Sequence, residues 1–176
     1  MIKAIETRYA GYRFRSRLEA RWAVFFDALG IGWEYEPEGF ELPDGTRYLP
    51  DFKLDYGSYG EPQFWWAEVK GGGAHISPQE WAKMRAFAGA HDAPLLLLDG
   101  PPELRTYFQV NAVAGDDNDS LGCALFSYKM RPWWDDDANF FAHLGGFDEE
   151  GSRVLEDAVN AARGARFEHG ESGARK

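Results

Sequence analysis

The sequence predicts an α/β domain, a central mixed sheet flanked by helices, with an α+β elaboration at its C-terminal end. Three observations predict it. Residues 16–29 carry apolar side chains at helical spacing. The runs Phe64–Val69 and Pro94–Leu98 are short, apolar and bounded by glycine or proline, as buried strands are. Between them, Ser77-Pro78-Gln79-Glu80 has the composition of a helix start. Helices and strands alternating in this order pack as a sheet with helices on its faces.

In the first helix, 16–29, Leu18, Trp22, Phe25, Phe26 and Leu29 make one apolar stripe, and Gly30 ends it. Arg17 and Arg21 lie one turn apart on the opposite side. Gly32–Glu36 reads as a strand, which Phe40–Leu42 continues or bends. Asp44-Gly45 marks a hairpin turn into a strand over Thr46–Leu54. Tyr56–Pro62 is a loop leading into the strand Phe64–Lys70, which stops at Gly71-Gly72-Gly73. Ser77 caps a helix that runs to about His91, with Pro78 in its first position and Glu80 at its third. The strand Pro94–Leu98 follows, closed by Asp99-Gly100-Pro101-Pro102. Strands over Thr106–Ala114 and Leu121–Lys129, a short helix over Ala138–Leu144 and an amphipathic helix over 152–164 complete the reading. The organisation expected is a core at 1–102, an elaboration at 103–168 packed on the same domain, and a disordered tail at 169–176.

Composition narrows the function classes. One cysteine, Cys123, excludes an internal disulfide framework and fits a reducing cytoplasm. Cysteine and the four histidines show no zinc-ligand spacing. No apolar window is long enough to span a bilayer and no signal-peptide pattern opens the chain, so a cytoplasmic protein without a membrane partner is expected. The net charge of −10 opposes simple electrostatic binding of duplex DNA. That charge is uneven: residues 8–21 hold Arg8, Arg13, Arg15, Arg17 and Arg21 against Glu19 alone, a local basic patch on an acidic chain.

The chemistry-bearing residues sit on two neighbouring strands. Side chains alternate along a strand, so Glu68 and Lys70 of Phe64–Lys70 share a face. Charged groups at the end of an aromatic strand are costly unless paired or used. Asp51 of Tyr48-Leu49-Pro50-Asp51-Phe52 can bring a second carboxylate to the same point. Two carboxylates and a lysine around one point suit a magnesium site that activates water against a phosphodiester.

Pro50-Asp51, Glu68-x-Lys70 and an upstream helix carrying Glu19 together resemble the PD-(D/E)XK, or restriction-endonuclease-like, nuclease superfamily, over residues 12–98. The resemblance implies an αβββαβ core and a Mg²⁺-dependent endonuclease acting on DNA, duplex or branched, with Mn²⁺ as a substitute ion. It implies that Asp51, Glu68 and the backbone carbonyl of Val69 ligate the metal, with Glu19 reaching it directly or through water. Lys70 would orient the attacking water and stabilise charge on the phosphate, and the products would carry 3′-hydroxyl and 5′-phosphate ends. The small stand-alone form resembles proteins of phages and bacteria, with roles in recombination, DNA processing or defence, and superfamily enzymes often act as a homodimer or in a larger complex.

Plainer readings stand beside these. Ser16-Arg17-Leu18-Glu19 is itself a capping box, in which Glu19 ties down the helix start instead of facing the site. Arg13, Arg15, Arg17 and Arg21 contact phosphates or form a solvated face. Gln79 fills an ordinary first-turn position, and Asp135–Asp137 is a solvated acidic run. Two other function classes fit the same chain: a non-catalytic binding module of this fold, and an interaction protein using Trp133-Trp134 as an exposed hot spot.

Overall fold

The computed structural model describes residues 6–55, 64–73, 75–91, 95–105, 107–110, 122–124 and 149–167. The expectations for 116–119, 133–137, 138–144 and the tail from 169 lie outside these residues. The chain opens with a hairpin of β1 (Thr7–Tyr9) and β2 (Tyr12–Phe14), which the sequence reading did not assign. Its turn, Ala10-Gly11, places both central residues at positive φ (47° and 86°), the geometry that matches the twist of two-residue hairpins.

Helix α1 (Arg17–Leu29) follows. The Ser16 side chain accepts from the Glu19 N–H, and Gly30, at φ 70°, ends the helix as Ile31 N–H reaches back to the Phe26 carbonyl. Next come β3 (Gly32–Tyr35), β4 (Phe40–Glu41), β5 (Arg47–Tyr48), β6 (Phe52–Asp55) and β7 (Phe64–Lys70). Helix α2 (Pro78–Ala90) starts with the full capping box of Ser77 and Glu80 that its sequence predicts. The last elements are β8 (Leu95–Asp99), β9 (Tyr107–Val110), β10 (Gly122–Ala124) and α3 (Glu149–Gly164), a helix that begins earlier than the 152 expected.

Among the described residues, six strands form one mixed sheet in the order β10-β9-β8-β7-β6-β3, in which β7 and β8 run parallel and all other neighbours antiparallel. The strands β9 and β10 of the 103–168 segment thus extend the same sheet. One expectation is corrected. Thr46–Leu54 is not a continuous strand: β5 pairs with β4 in a separate hairpin, and only β6 joins the main sheet. Pro50 lies in the break, where it has no N–H to give a ladder. The Asp44-Gly45 turn does close the small hairpin, through Leu42 N–H to Thr46 O at 2.8 Å.

Strand alternation divides the core between the two faces of the sheet. Trp65, Ala67, Val69, Leu96 and Leu98 pack with α1, α3 and the first hairpin, around fully buried Trp22, Phe26 and Phe14. Trp66, Leu95 and Leu97 pack on the other face with Met84 and Phe87 of α2 and with Tyr48. Val154, Leu155, Ala158, Val159 and Ala162 of α3 belong to the first of these clusters, as their helical spacing predicts. Among the described residues, no helix is long and apolar enough to cross a membrane.

Candidate metal-binding and catalytic site

The site forms where β6 stops short of β7. Their ladder ends with Phe52 opposite Ala67, so Glu68, Val69 and Lys70 run on without a β6 partner. Asp51 fills that gap: its Oδ2 accepts from the Val69 N–H at 2.7 Å, as a strand carbonyl would. The N–H and C=O of one strand residue face the same neighbour, so the Val69 carbonyl is directed to Asp51's side of β7 as well. The other Asp51 oxygen, Oδ1, accepts from Arg15 Nη2 at 2.7 Å. Asp51 is almost fully buried, 4% exposed.

Glu68 shares a face with Trp66, which points it toward α2. It is buried, and its two oxygens take different donors: the Tyr48 hydroxyl at 2.9 Å on Oε2 and Lys70 Nζ at 2.8 Å on Oε1. Lys70 also lies 3.4 Å from Glu80, the capping residue of α2, so the helix start and the strand end are tied by one ammonium.

The electrostatics follow from this crowding. Burial, then the nearby negative charges of Glu68 and Glu19, push the Asp51 carboxyl up to about 8, against the pull of the Val69 N–H and Arg15. For Lys70, burial favours the neutral amine, but Glu68 and Glu80 outweigh it and hold the pKa above the ordinary lysine value. Burial and Glu68 push the Tyr48 hydroxyl well above the phenol range, so it remains a donor. Burial and the bond to Glu19 do the same for Tyr35.

Glu19 is buried and occupied at the helix start. Its oxygens accept from the Ser16 hydroxyl at 2.7 Å, the Arg15 N–H at 3.0 Å and the Tyr35 hydroxyl. In this rotamer it serves the start of α1 and acts on Asp51 through its field. Of the four arginines, Arg15 is brought to the site. Arg15 bonds Asp51, and its guanidinium also pairs with Glu36. Arg13 instead pairs with Glu6 on the surface of the first hairpin. Arg17 and Arg21 are half-buried on α1, and each has a buried Nε. Gln79 is exposed at the first turn of α2.

Sequence reasoning missed Tyr48, Tyr35 and Glu36 as parts of the site. Their partners are 16 to 21 residues away along the chain, beyond any local pattern. Glu80 was visible as a cap, but its tie to Lys70 was not. A cleft of about 500 Å³, lined by residues that include Phe40, Arg47, Tyr48 and Leu49, adjoins the site through Tyr48.

The donor chemistry fits a small, hard cation. The Glu68 charge raises the cost of ionising Asp51, and a divalent ion would relieve it. Among the described residues, no third His, Cys, Asp or Glu joins them in a ready-made cluster. Mg²⁺ commonly takes one or two carboxylates and completes its shell with water and substrate oxygens. Comparison with protein-family models, curated proteins and solved structures found no match for the chain.

Proposed function

We propose that this chain is a metal-dependent nuclease that hydrolyses DNA phosphodiester bonds on a restriction-endonuclease-like core. The observation that carries the reading is the meeting of buried Asp51 and Glu68, with Lys70 on Glu68, at the open end of β7. The order α1, β3, β6, β7, α2, β8, with β7 and β8 parallel, supports it, because it is the αβββαβ order the resemblance implies.

Asp51, Glu68 and the Val69 carbonyl would hold Mg²⁺ or Mn²⁺. When bound, the ion supplies a Lewis acid for a phosphate oxygen and lowers the pKa of water. Lys70 stays protonated because Glu68 and Glu80 hold its proton. It therefore acts as a donor and a positive charge: it orients the attacking water and stabilises charge on the phosphoryl oxygens, and it is not the general base. Tyr48 fixes the Glu68 carboxylate, and the Val69 N–H fixes Asp51. Glu19, held by three donors, reaches the site through water and through its charge.

The test is a cleavage assay at low salt with Mg²⁺ or Mn²⁺, using labelled duplex, junction, flap and single-stranded DNA. Wild type should cut one or more of these, and Lys70→Ala should cut about 10²–10³-fold more slowly, the usual cost of losing one electrostatic stabiliser. Equal rates for the two proteins would refute the mechanism.

One observation favours a second reading, a non-catalytic module of the same fold. All four oxygens of Asp51 and Glu68 already accept from a protein donor, so the cluster is satisfied as a structural network. That reading predicts no heat of Mn²⁺ binding in wild type. The nuclease reading predicts a heat that Asp51→Asn removes.

A further inference from the structure

Each of the two proposed ligand carboxylates divides its oxygens in the same way. One oxygen takes a neutral donor, the Val69 N–H on Asp51 and the Tyr48 hydroxyl on Glu68. The other takes a cation, Arg15 on Asp51 Oδ1 and Lys70 on Glu68 Oε1. The two cations differ in freedom. The Lys70 side chain is 24% exposed and held between Glu68 and Glu80, whereas the Arg15 side chain is 60% exposed.

Arg15 is nevertheless anchored at its base. It joins β2 to the cap of α1, and its backbone N–H bonds both Glu19 Oε2 at 3.0 Å and the Tyr35 hydroxyl at 3.2 Å. Its guanidinium also pairs with Glu36, a half-buried acid whose own N–H bonds the Asp51 carbonyl at 2.9 Å. A head that leaves Asp51 therefore keeps a partner close by. An arginine cannot shed its charge, so it competes with any divalent ion for the same carboxylate at every working pH.

We propose that Arg15 is an exchangeable partner of Asp51: its guanidinium occupies Oδ1 when no divalent ion is present and yields that oxygen to the ion, turning to Glu36 and solvent. This rests on the metal-binding reading above. Arg15 is then a positioning residue that sets how tightly the site takes its metal. A residue of merely structural importance would weaken metal binding when changed, whereas removal of a competing cation strengthens it.

The test compares wild type, Arg15→Gln and Asp51→Asn by Mn²⁺ titration calorimetry, beside thermal melts with EDTA and with Mn²⁺. Arg15→Gln should bind Mn²⁺ about tenfold tighter, the worth of roughly one charge-assisted hydrogen bond. It should melt lower than wild type in EDTA and recover more on adding Mn²⁺. Wild-type protein supplies an independent reading should the variant fold poorly: the Arg15 Nε–H cross-peak in a ¹⁵N spectrum should shift and saturate as Mg²⁺ is added. Equal or weaker Mn²⁺ binding by Arg15→Gln, or a cross-peak unmoved at saturating Mg²⁺, would overturn the exchange and leave the nuclease reading standing. Absence of Mn²⁺ binding by wild type would overturn both.

Discussion

Asp51 should make the metal-free protein less stable as the pH rises, and Asp51→Asn should remove that dependence. The folded pKa of about 8 lies above the unfolded value near 3.9. Between about pH 4 and pH 8 the native state therefore holds a proton that the unfolded state has lost. The difference in bound protons, unfolded minus native, approaches −1, so stability falls with pH by up to about 1.4 kcal/mol per unit. The contribution is fully present below the unfolded pKa and lost as the pH passes through 8, above which the slope vanishes. Asparagine also lacks one of the two accepting oxygens used by Val69 and Arg15, a cost of about 1–3 kcal/mol that does not vary with pH. The assay is urea unfolding in EDTA from pH 5 to pH 9, for wild type and Asp51→Asn. The gap between the two should change steadily to about pH 8 and then level off, and saturating Mg²⁺ should raise wild type most at the alkaline end. Parallel curves across pH 5–8 would refute the argument, since Asp51 would then titrate as an ordinary carboxylate.

Further outcomes follow from the packing that holds the site in place. Trp22 is fully buried and its indole N–H bonds the Gly100 carbonyl at 2.9 Å; Trp22→Ala should cost about 3–5 kcal/mol in denaturant unfolding. Gly100 has φ 80°, and a Cβ there would meet the Gly72 Cα at 3.3 Å, while its N–H bonds the Lys70 carbonyl at 2.8 Å. Gly100→Ala should therefore lose about 1–2 kcal/mol from backbone strain alone and also slow cleavage, because it shifts the end of the strand that carries Lys70. If Gly100→Ala matches wild type in both melting and cleavage, that link between packing and site is wrong. For Lys70→Ala, retained fold and metal binding with lost cleavage is the expected pattern, read by circular dichroism, calorimetry and gel assay together.

The parts of the fold that depend on neighbours in sequence were legible. Ser16, Gly30, Ser77 and Pro78 mark helix ends because a cap or a left-handed turn is satisfied within a few residues. The stripes of α1 and α3 and the runs of β7 and β8 were legible because burial imposes a period on the chain. The first hairpin was not, since Ala10 is an unusual residue at positive φ and its flanking strands have three residues each. The break at Leu49-Pro50-Asp51 was also missed, although Pro50 was its local sign.

The candidate site divides along the same line. Its acids and its lysine could be named from Pro50-Asp51 and Glu68-x-Lys70, because alternation alone sets Glu68 and Lys70 on one face of a strand. Which groups neutralise them could not. The bonds from Arg15 to Asp51, Tyr48 to Glu68, Tyr35 to Glu19 and Lys70 to Glu80 join segments up to 36 residues apart. By itself the sequence determined the α/β class, most of the element order and the identity of the charged cluster, since those arise from local conformational preference and from the cost of burying charge. Only the tertiary structure decided that β6 stops two residues short of Val69, that Asp51 takes the vacated N–H, and that Arg15 reaches the site. Those outcomes depend on where the sheet register and the helix packing bring distant segments together in space.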